Sequence, residues 1–119
     1  MMEFEQEKIG NVTVARIRQQ KITSHEAPEM KTAFLSLIIG EGEKFLINLK
    51  NVENMDSTGL GAFLFGVRQA DQHEKDMRIC EVRPKVRFLI RIAHLEQVIG
   101  VYETEAEALE DFDRDEKND

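Results

Sequence analysis

FLINLKNVENMDSTGLGAFL, residues Phe45 to Leu64, is the stretch from which the fold is read. Its first part, with Lys44 in front (KFLINL, Lys44–Leu49), is short and almost continuously apolar, as expected of a strand covered on both faces. From about Ser57 the spacing changes: Leu60, Phe63, Leu64 and Val67 fall on one side of a helix. Between the two lies Asn54–Gly61, NMDSTGLG. In parallel α/β sheets, ligands and partners meet the protein at the carboxyl ends of strands, and this loop occupies such a position. Asp56, Ser57 and Thr58 are all good helix N-cap residues. Gly59 and Gly61 leave two first-turn positions without side chains, at about 1 kcal/mol each relative to alanine. Close approach to this backbone explains that cost. Two readings fit the letters: a well-capped helix whose glycines serve internal packing, or a docking loop in which they matter more for binding than for folding.

The pattern continues outward in both directions. Val12, Val14 and Ile17 form a β-rich run after the turn-like Gly10-Asn11, and Glu3–Ile9 is its hairpin partner. A first helix starts between Thr23 and Ala27, where Thr23 with Glu26 fits a capping box and Pro28 suits a first turn. Ala27, Met30, Phe34, Leu37 and Ile38 are its buried stripe, and Gly40 and Gly42 end it. Downstream, Met77–Val82 reads as a strand and Pro84 opens a helix with Val86, Leu89, Ile90 and Ala93 on its apolar side. Val98–Tyr102 reads as a last strand, and Thr104–Phe112 as a last helix capped by Thr104 with Glu107 three residues on. Alternating strands and helices demand crossover connections. The expected fold class is therefore α/β, with a mixed, mostly parallel sheet of four to five strands and about four helices.

The 119 residues suit one domain. The net charge of −7 sits at the end of the chain: residues 1–102 carry 14 acids and 14 bases, whereas 103–119 carry nine acids against Arg114 and Lys117. A balanced body with an acidic tail has no electrostatic footprint for nucleic acid. The domain is expected over residues 1–112, with 113–119 an acidic, disordered tail. No run is long enough to span a bilayer, and the N-terminus lacks a signal-peptide pattern. The single cysteine, Cys80, excludes an internal disulfide and points to a cytoplasmic protein with a small core thiol.

Enzyme motifs fail on the letters. A Walker loop requires lysine where Ala62 stands, and a dinucleotide fingerprint requires glycine where Leu64 stands. An aspartic-protease signature requires glycine at Thr58. A serine nucleophile requires a base, and His25, His73 and His94 show neither that context nor metal-ligand spacing. No catalytic constellation, metal or cofactor is expected. Arg83, Lys85, Arg87 and Arg91 form an acid-free stretch that reads as a solvated face or as a contact for an acidic partner. Met55 reads as a packing residue.

The central stretch resembles the signature of the STAS domain family, specifically the bacterial anti-sigma factor antagonists: an apolar strand, a short polar segment, then Asp-Ser-(Ser/Thr)-Gly-Leu-Gly opening a helix. The resemblance continues through MRICEVRPKVRFLIRIAHLEQVIGVYETEAEAL and covers roughly residues 3–112. It implies the STAS fold and a binding protein rather than an enzyme. The implied partner is an anti-sigma factor that is also a serine kinase of the histidine-kinase-like ATPase type. That kinase phosphorylates the serine after the motif aspartate, here Ser57, and a PP2C-type phosphatase reverses the step. The implied docking residues are Asp56, Ser57, Thr58, Gly59, Leu60 and Gly61. Many members carry Gly-x-Leu-Asp before the first helix. Here Gln20-Lys21-Ile22-Thr23 stands in its place, with Thr23 at the acid, so that acid's role is not carried over. The other function compatible with the resemblance is a STAS scaffold or small-ligand module in a signalling or transport assembly, with Ser57 only a cap.

Overall fold

The computed structural model describes residues 4–117. Strands β1 (Phe4–Ile9) and β2 (Val12–Ile17) form the expected hairpin, paired from Phe4 with Ile17 to Ile9 with Val12. Gly10 takes φ +62°, which a two-residue II′ turn asks of its first central residue. A two-residue β3 (Lys21–Ile22) precedes α1 (Ala27–Ile39). Then come β4 (Lys44–Asn48), a two-residue β5 (Asn54–Met55), α2 (Ser57–Gln72), β6 (Asp76–Cys80), α3 (Pro84–Ile92), a 3₁₀ turn at Leu95–Gln97, β7 (Val101–Tyr102) and α4 (Glu105–Lys117). The main sheet has the order β1-β2-β4-β6-β7, parallel except for the hairpin, and β3 pairs with β5 in a separate parallel ladder.

The two faces of the sheet follow from strand alternation. Ala15, Ile17, Phe45, Ile47, Met77 and Ile79 point into the larger core, beneath α1, α2 and α3. Val12, Val14, Leu46 and Cys80 point the other way, under Ala108 and Phe112 of α4. Central β4 is therefore buried on both faces, as its continuous apolar run requires. The α1 stripe is buried as read, from Ala27 to Ile38.

Three expectations are corrected. The buried face of α2 is Gly59, Ala62, Phe63, Gly66 and Ala70, while Leu60, Leu64 and Val67 are half-buried at its margin. A Cβ on Gly66 would lie 2.5 Å from Phe34 Cδ2, and Phe34 meets Phe63 edge-on at 5.5 Å, so the small residues let α2 press against α1. Val98–Tyr102 is a strand only at Val101–Tyr102. Leu95 and Ile99 turn into the core while Val98 stays exposed, and the Ile99 N–H donates to the Leu95 carbonyl (3.0 Å).

Finally, residues 113–117 continue α4 rather than forming a disordered tail; Asn118 and Asp119 lie outside the described residues. The acids of this last turn have partners across the sheet: Asp115 with Arg78 (2.8 Å) and Glu116 with Lys44 (3.5 Å), besides Asp113 with Lys117 along the helix (3.1 Å). Arg78 also binds Asp76 and Asp111 and lies 4.0 Å over the Phe112 ring, joining the sheet to α4.

At the other end of α4, Glu105 receives Arg16 Nε–H at 2.7 Å and the Asn48 amide at 3.0 Å. The Arg16 bonds, helped by Asn48 and opposed by partial burial, hold the Glu105 carboxyl below the usual carboxylate range. Glu81 accepts from the Glu105 N–H (2.9 Å), and Thr104 Oγ1 accepts from the Glu107 N–H (3.1 Å), which is the predicted cap. Burial first, and the charges of Glu105 and Glu81 next, push the Cys80 thiol up to about 12.

Candidate partner-docking site

The loop after β4 is tied down before it reaches Ser57. Asn48 Oδ1 accepts from the Lys50 N–H (2.8 Å), and the Val52 N–H closes a turn on the Leu49 carbonyl (3.0 Å). The Gln20 carbonyl accepts from the N–H groups of both Glu53 and Asn54 (2.8 and 3.1 Å). The chain then pairs with β3, Asn54 opposite Lys21 and Met55 opposite Ile22, with Val52, Met55 and Ile22 buried beneath. Asp56 is extended (φ −103°, ψ −176°) and is the N-cap of α2: its Oδ1 accepts from the Gly59 N–H at 2.9 Å, and its carbonyl from the Leu60 N–H at 2.9 Å. Among the three cap candidates the structure selects Asp56, so Ser57 is the first helical residue and not a cap.

Of the six expected docking residues, Asp56, Ser57, Thr58 and Gly61 are exposed and Leu60 is half-buried. Gly59 is not at the surface. A Cβ there would stand 2.0 Å from the Ile22 carbonyl oxygen and 3.0 Å from Met55 Cγ. The close approach inferred at Gly59 is thus internal, and the expectation that it serves docking more than folding is corrected. Gly61 differs: a Cβ there meets nothing within 4 Å. The two glycines of one turn have separate reasons to be there.

The Ser57 hydroxyl is held by no hydrogen bond among the described residues. At the start of an α-helix the N–H groups of Ser57 and Thr58 have no intrahelical acceptor, and the dipole end there is positive. Thr23, next after the residue paired with Met55, donates from both its N–H and its hydroxyl to Glu26 Oε1 (2.9 and 2.8 Å). These bonds keep the Glu26 carboxyl below its ordinary value, but the expected capping box is not made: α1 starts at Ala27 with Glu26 as its N-cap and no side-chain cap bond, and the Thr23 hydroxyl donates to Glu26 instead of accepting from its N–H. No base is bonded to Ser57, and His25, His73 and His94 are all exposed, with His73 Nδ1 occupied by the Gln69 carbonyl (2.8 Å). The Ser57 hydroxyl is thus exposed and unbonded, directly after a segment paired with β3.

Beside the loop, Lys85 Nζ lies 3.5 Å from Asn54 Oδ1, and Arg83 Nε–H donates to the Lys50 carbonyl (2.5 Å). An open recess of about 480 Å³ separates the two elements, lined by Asn54, Met55, Pro84, Lys85, Phe88 and Leu89. Phe88 escaped the sequence reading. Its signal was available as an aromatic residue on the polar side of a helix whose apolar side was already full. A larger groove, about 870 Å³ between α1 and the hairpin, shares no residue with this loop. Among the described residues no cluster of His, Cys, Asp or Glu is suited to a metal ion, and no helix is long and apolar enough to cross a membrane.

Comparison with known proteins matches residues 3–108 to the STAS domain family. An anti-sigma F factor antagonist of Paenibacillus polymyxa is 32% identical over 71 residues, covering 60% of this chain and 61% of that relative, which is under two thirds of the relative's length. An anti-sigma-B factor antagonist of Staphylococcus aureus is 31% identical over 84 residues, covering 70% and 78%. Among solved structures, an anti-sigma factor antagonist from Mycobacterium paratuberculosis superposes with a TM-score of 0.80 at 21% identity, covering 92% of both chains. The Bacillus cell fate determinant SpoIIAA in its phosphorylated form gives 0.70 at 20% identity, covering 92% of this chain and 99% of that one.

Proposed function

Because this chain belongs to the STAS domain family, we propose that it is a phosphorylation-controlled anti-sigma factor antagonist working in the cytoplasm. With Ser57 unmodified, the surface of Asp56, Ser57, Thr58, Leu60 and Gly61 docks an anti-sigma factor that is also a serine kinase of the histidine-kinase-like ATPase type. Docking releases a sigma factor. Phosphorylation of Ser57 ends docking, and a PP2C-type phosphatase restores it. The observation that carries this reading is the exposed, unbonded Ser57 hydroxyl at the first position of a long helix, on a loop anchored to β3.

The electrostatics are consistent with a switch. A phosphate brings about −1.5 to −2 charges and three acceptor oxygens. The free N–H groups and positive helix end tolerate it locally, so the folded state survives modification. Toward a partner, the new charge adds to that of Asp56 on one exposed surface and must be desolvated there, which weakens docking. Gly61 leaves room over the first turn for the partner's backbone, and Gly59 keeps that turn against β3 so that the surface is presented in one geometry.

The test is to incubate the protein with ATP and each anti-sigma factor of its source genome. One phosphate is expected, on Ser57 and not on Thr58, Ser24 or Ser36, which are also exposed. Ser57→Ala abolishes labelling and retains binding, and Ser57→Asp weakens binding. Phosphate elsewhere, or equal binding by the alanine and aspartate variants, refutes the switch and leaves the unswitched scaffold.

A further inference from the structure

We propose that the outer face of α3 is the second half of the docking surface, receiving an apolar patch with an acidic rim on the same protein that reads Ser57. The proposal rests on the function inferred above. Val86 and Ile90 already bury the inner face of α3, yet Phe88 and Ile92 stand 60% and 59% exposed. They are one helical turn apart and so lie side by side. Single exposed apolar residues are ordinary. These two form a pair, and Phe88 lines the recess shared with Asn54 and Met55, which makes the patch continuous with the Ser57 loop.

The surrounding charge identifies the occupant. From Arg83 to Ala93 there are four cations and no acid. Arg87 is paired with Glu103 (2.7 Å), and Arg91 lies 3.9 Å from Glu96. Arg83 and Lys85 instead reach only uncharged oxygens, a backbone carbonyl and the Asn54 amide, and neither has a carboxylate partner among the described residues. A merely solvated helix mixes signs along its face, as α4 does with Glu110, Arg114, Asp113 and Lys117. An apolar centre with an arginine-bearing rim is instead the composition of a protein interface. An acidic-rimmed partner is also one that a phosphate on Ser57 repels. One charge pattern on the partner therefore gives attraction at α3 and release at the serine.

The experiment titrates the full chain by calorimetry against the purified anti-sigma factors of its source genome. The variants are Phe88→Ser with Ile92→Ser, Lys85→Glu, and Ile39→Ser as a control on an equally exposed apolar side chain of α1. The expected result is affinity at least tenfold lower for the first two and unchanged for the control. Binding by the parent should also weaken with added salt more steeply than binding by Lys85→Glu. Thermal melts confirm that all three are folded. If Ser57→Asp releases the partner but the α3 variants bind like the parent, the α3 proposal falls and the switch stands. If no anti-sigma factor binds the parent, both fall. If sedimentation shows a parent dimer that Phe88→Ser makes monomeric, the face joins two copies of this chain and the proposal is overturned.

Discussion

Alanine at position 59 and alanine at position 61 should move stability in opposite directions. In an exposed helix interior, Gly→Ala is worth about 1 kcal/mol in favour of folding. Position 61 is such a site, exposed and with open space for the methyl, so Gly61→Ala should gain up to about 1 kcal/mol. At position 59 the same gain is opposed by a contact of 2.0 Å with the Ile22 carbonyl oxygen. That oxygen is backbone and cannot rotate away; β3 must retreat by more than an ångström. Retreat lengthens the bond from the Asp56 N–H, already 3.4 Å, and disturbs the two-residue ladder with β5. Overpacking of this kind costs about 1–3 kcal/mol, so Gly59→Ala, net of the helix gain, should lose up to about 2 kcal/mol and stand about 1–3 kcal/mol below Gly61→Ala. At about 4 °C per kcal/mol for a domain of this size, the melting temperatures should differ by about 4–12 °C. Urea titration followed by circular dichroism supplies the free energies. Two variants of equal stability, or a Gly59→Ala protein more stable than its parent, would refute the argument that β3 dictates this glycine.

Three further outcomes follow from the geometry. Asp56→Ala should lower stability by about 0.5–2 kcal/mol through loss of the cap on the Gly59 N–H, whereas Ser57→Ala should change it by less than about 0.5 kcal/mol because Ser57 caps nothing; chemical denaturation checks both. Cys80, buried and with its thiol raised to about 12, should resist Ellman's reagent at pH 8 in the folded protein and react at once in denaturant; prompt labelling of the native protein would contradict the packing under α4. Glu105 has its carboxyl lowered in the folded state, so its contribution is complete above its ordinary value of 4.5 and is lost as pH falls below it. Glu105→Gln should therefore cost stability at pH 7 and flatten the decline on acidification, measured as denaturation midpoints across that range. Glu5 and Glu26 are shifted the same way by Arg18 and Thr23, so part of the decline remains.

What was legible in the letters is the part built from large side chains at regular spacing. The α1 stripe and β4 announce themselves because burial there is done by Met30, Phe34, Phe45 and Ile47. The buried face of α2 was misread because periodicity counts side chains, and at Gly59 and Gly66 it is their absence that allows burial. β3 and β5 are two residues each, too short for any alternation, yet they position the site. Ser57 was found from the motif, but which neighbour caps the helix depended on the extended backbone at Asp56. The final turn of α4 looked like a solvated tail because its partners, Arg78 and Lys44, lie on strands about 40 to 70 positions earlier.

The unequal coverage of the sheet has a kinetic consequence. Three helices share one face, but α4 alone shields Val14, Leu46 and Cys80 on the other, through a smaller apolar cluster with Ala108 and Phe112 and through ionic contacts at its ends. Such an element opens as a sub-global unit, at a free energy below that of complete unfolding. Its amides should exchange with solvent ahead of those of β4, and the rate at which Cys80 is trapped by a thiol reagent should track that opening. The cysteine is thus a built-in reporter of α4 detachment. Because the Ser57 loop is anchored through β3, under the helices of the larger core, that detachment can proceed while the serine surface stays assembled.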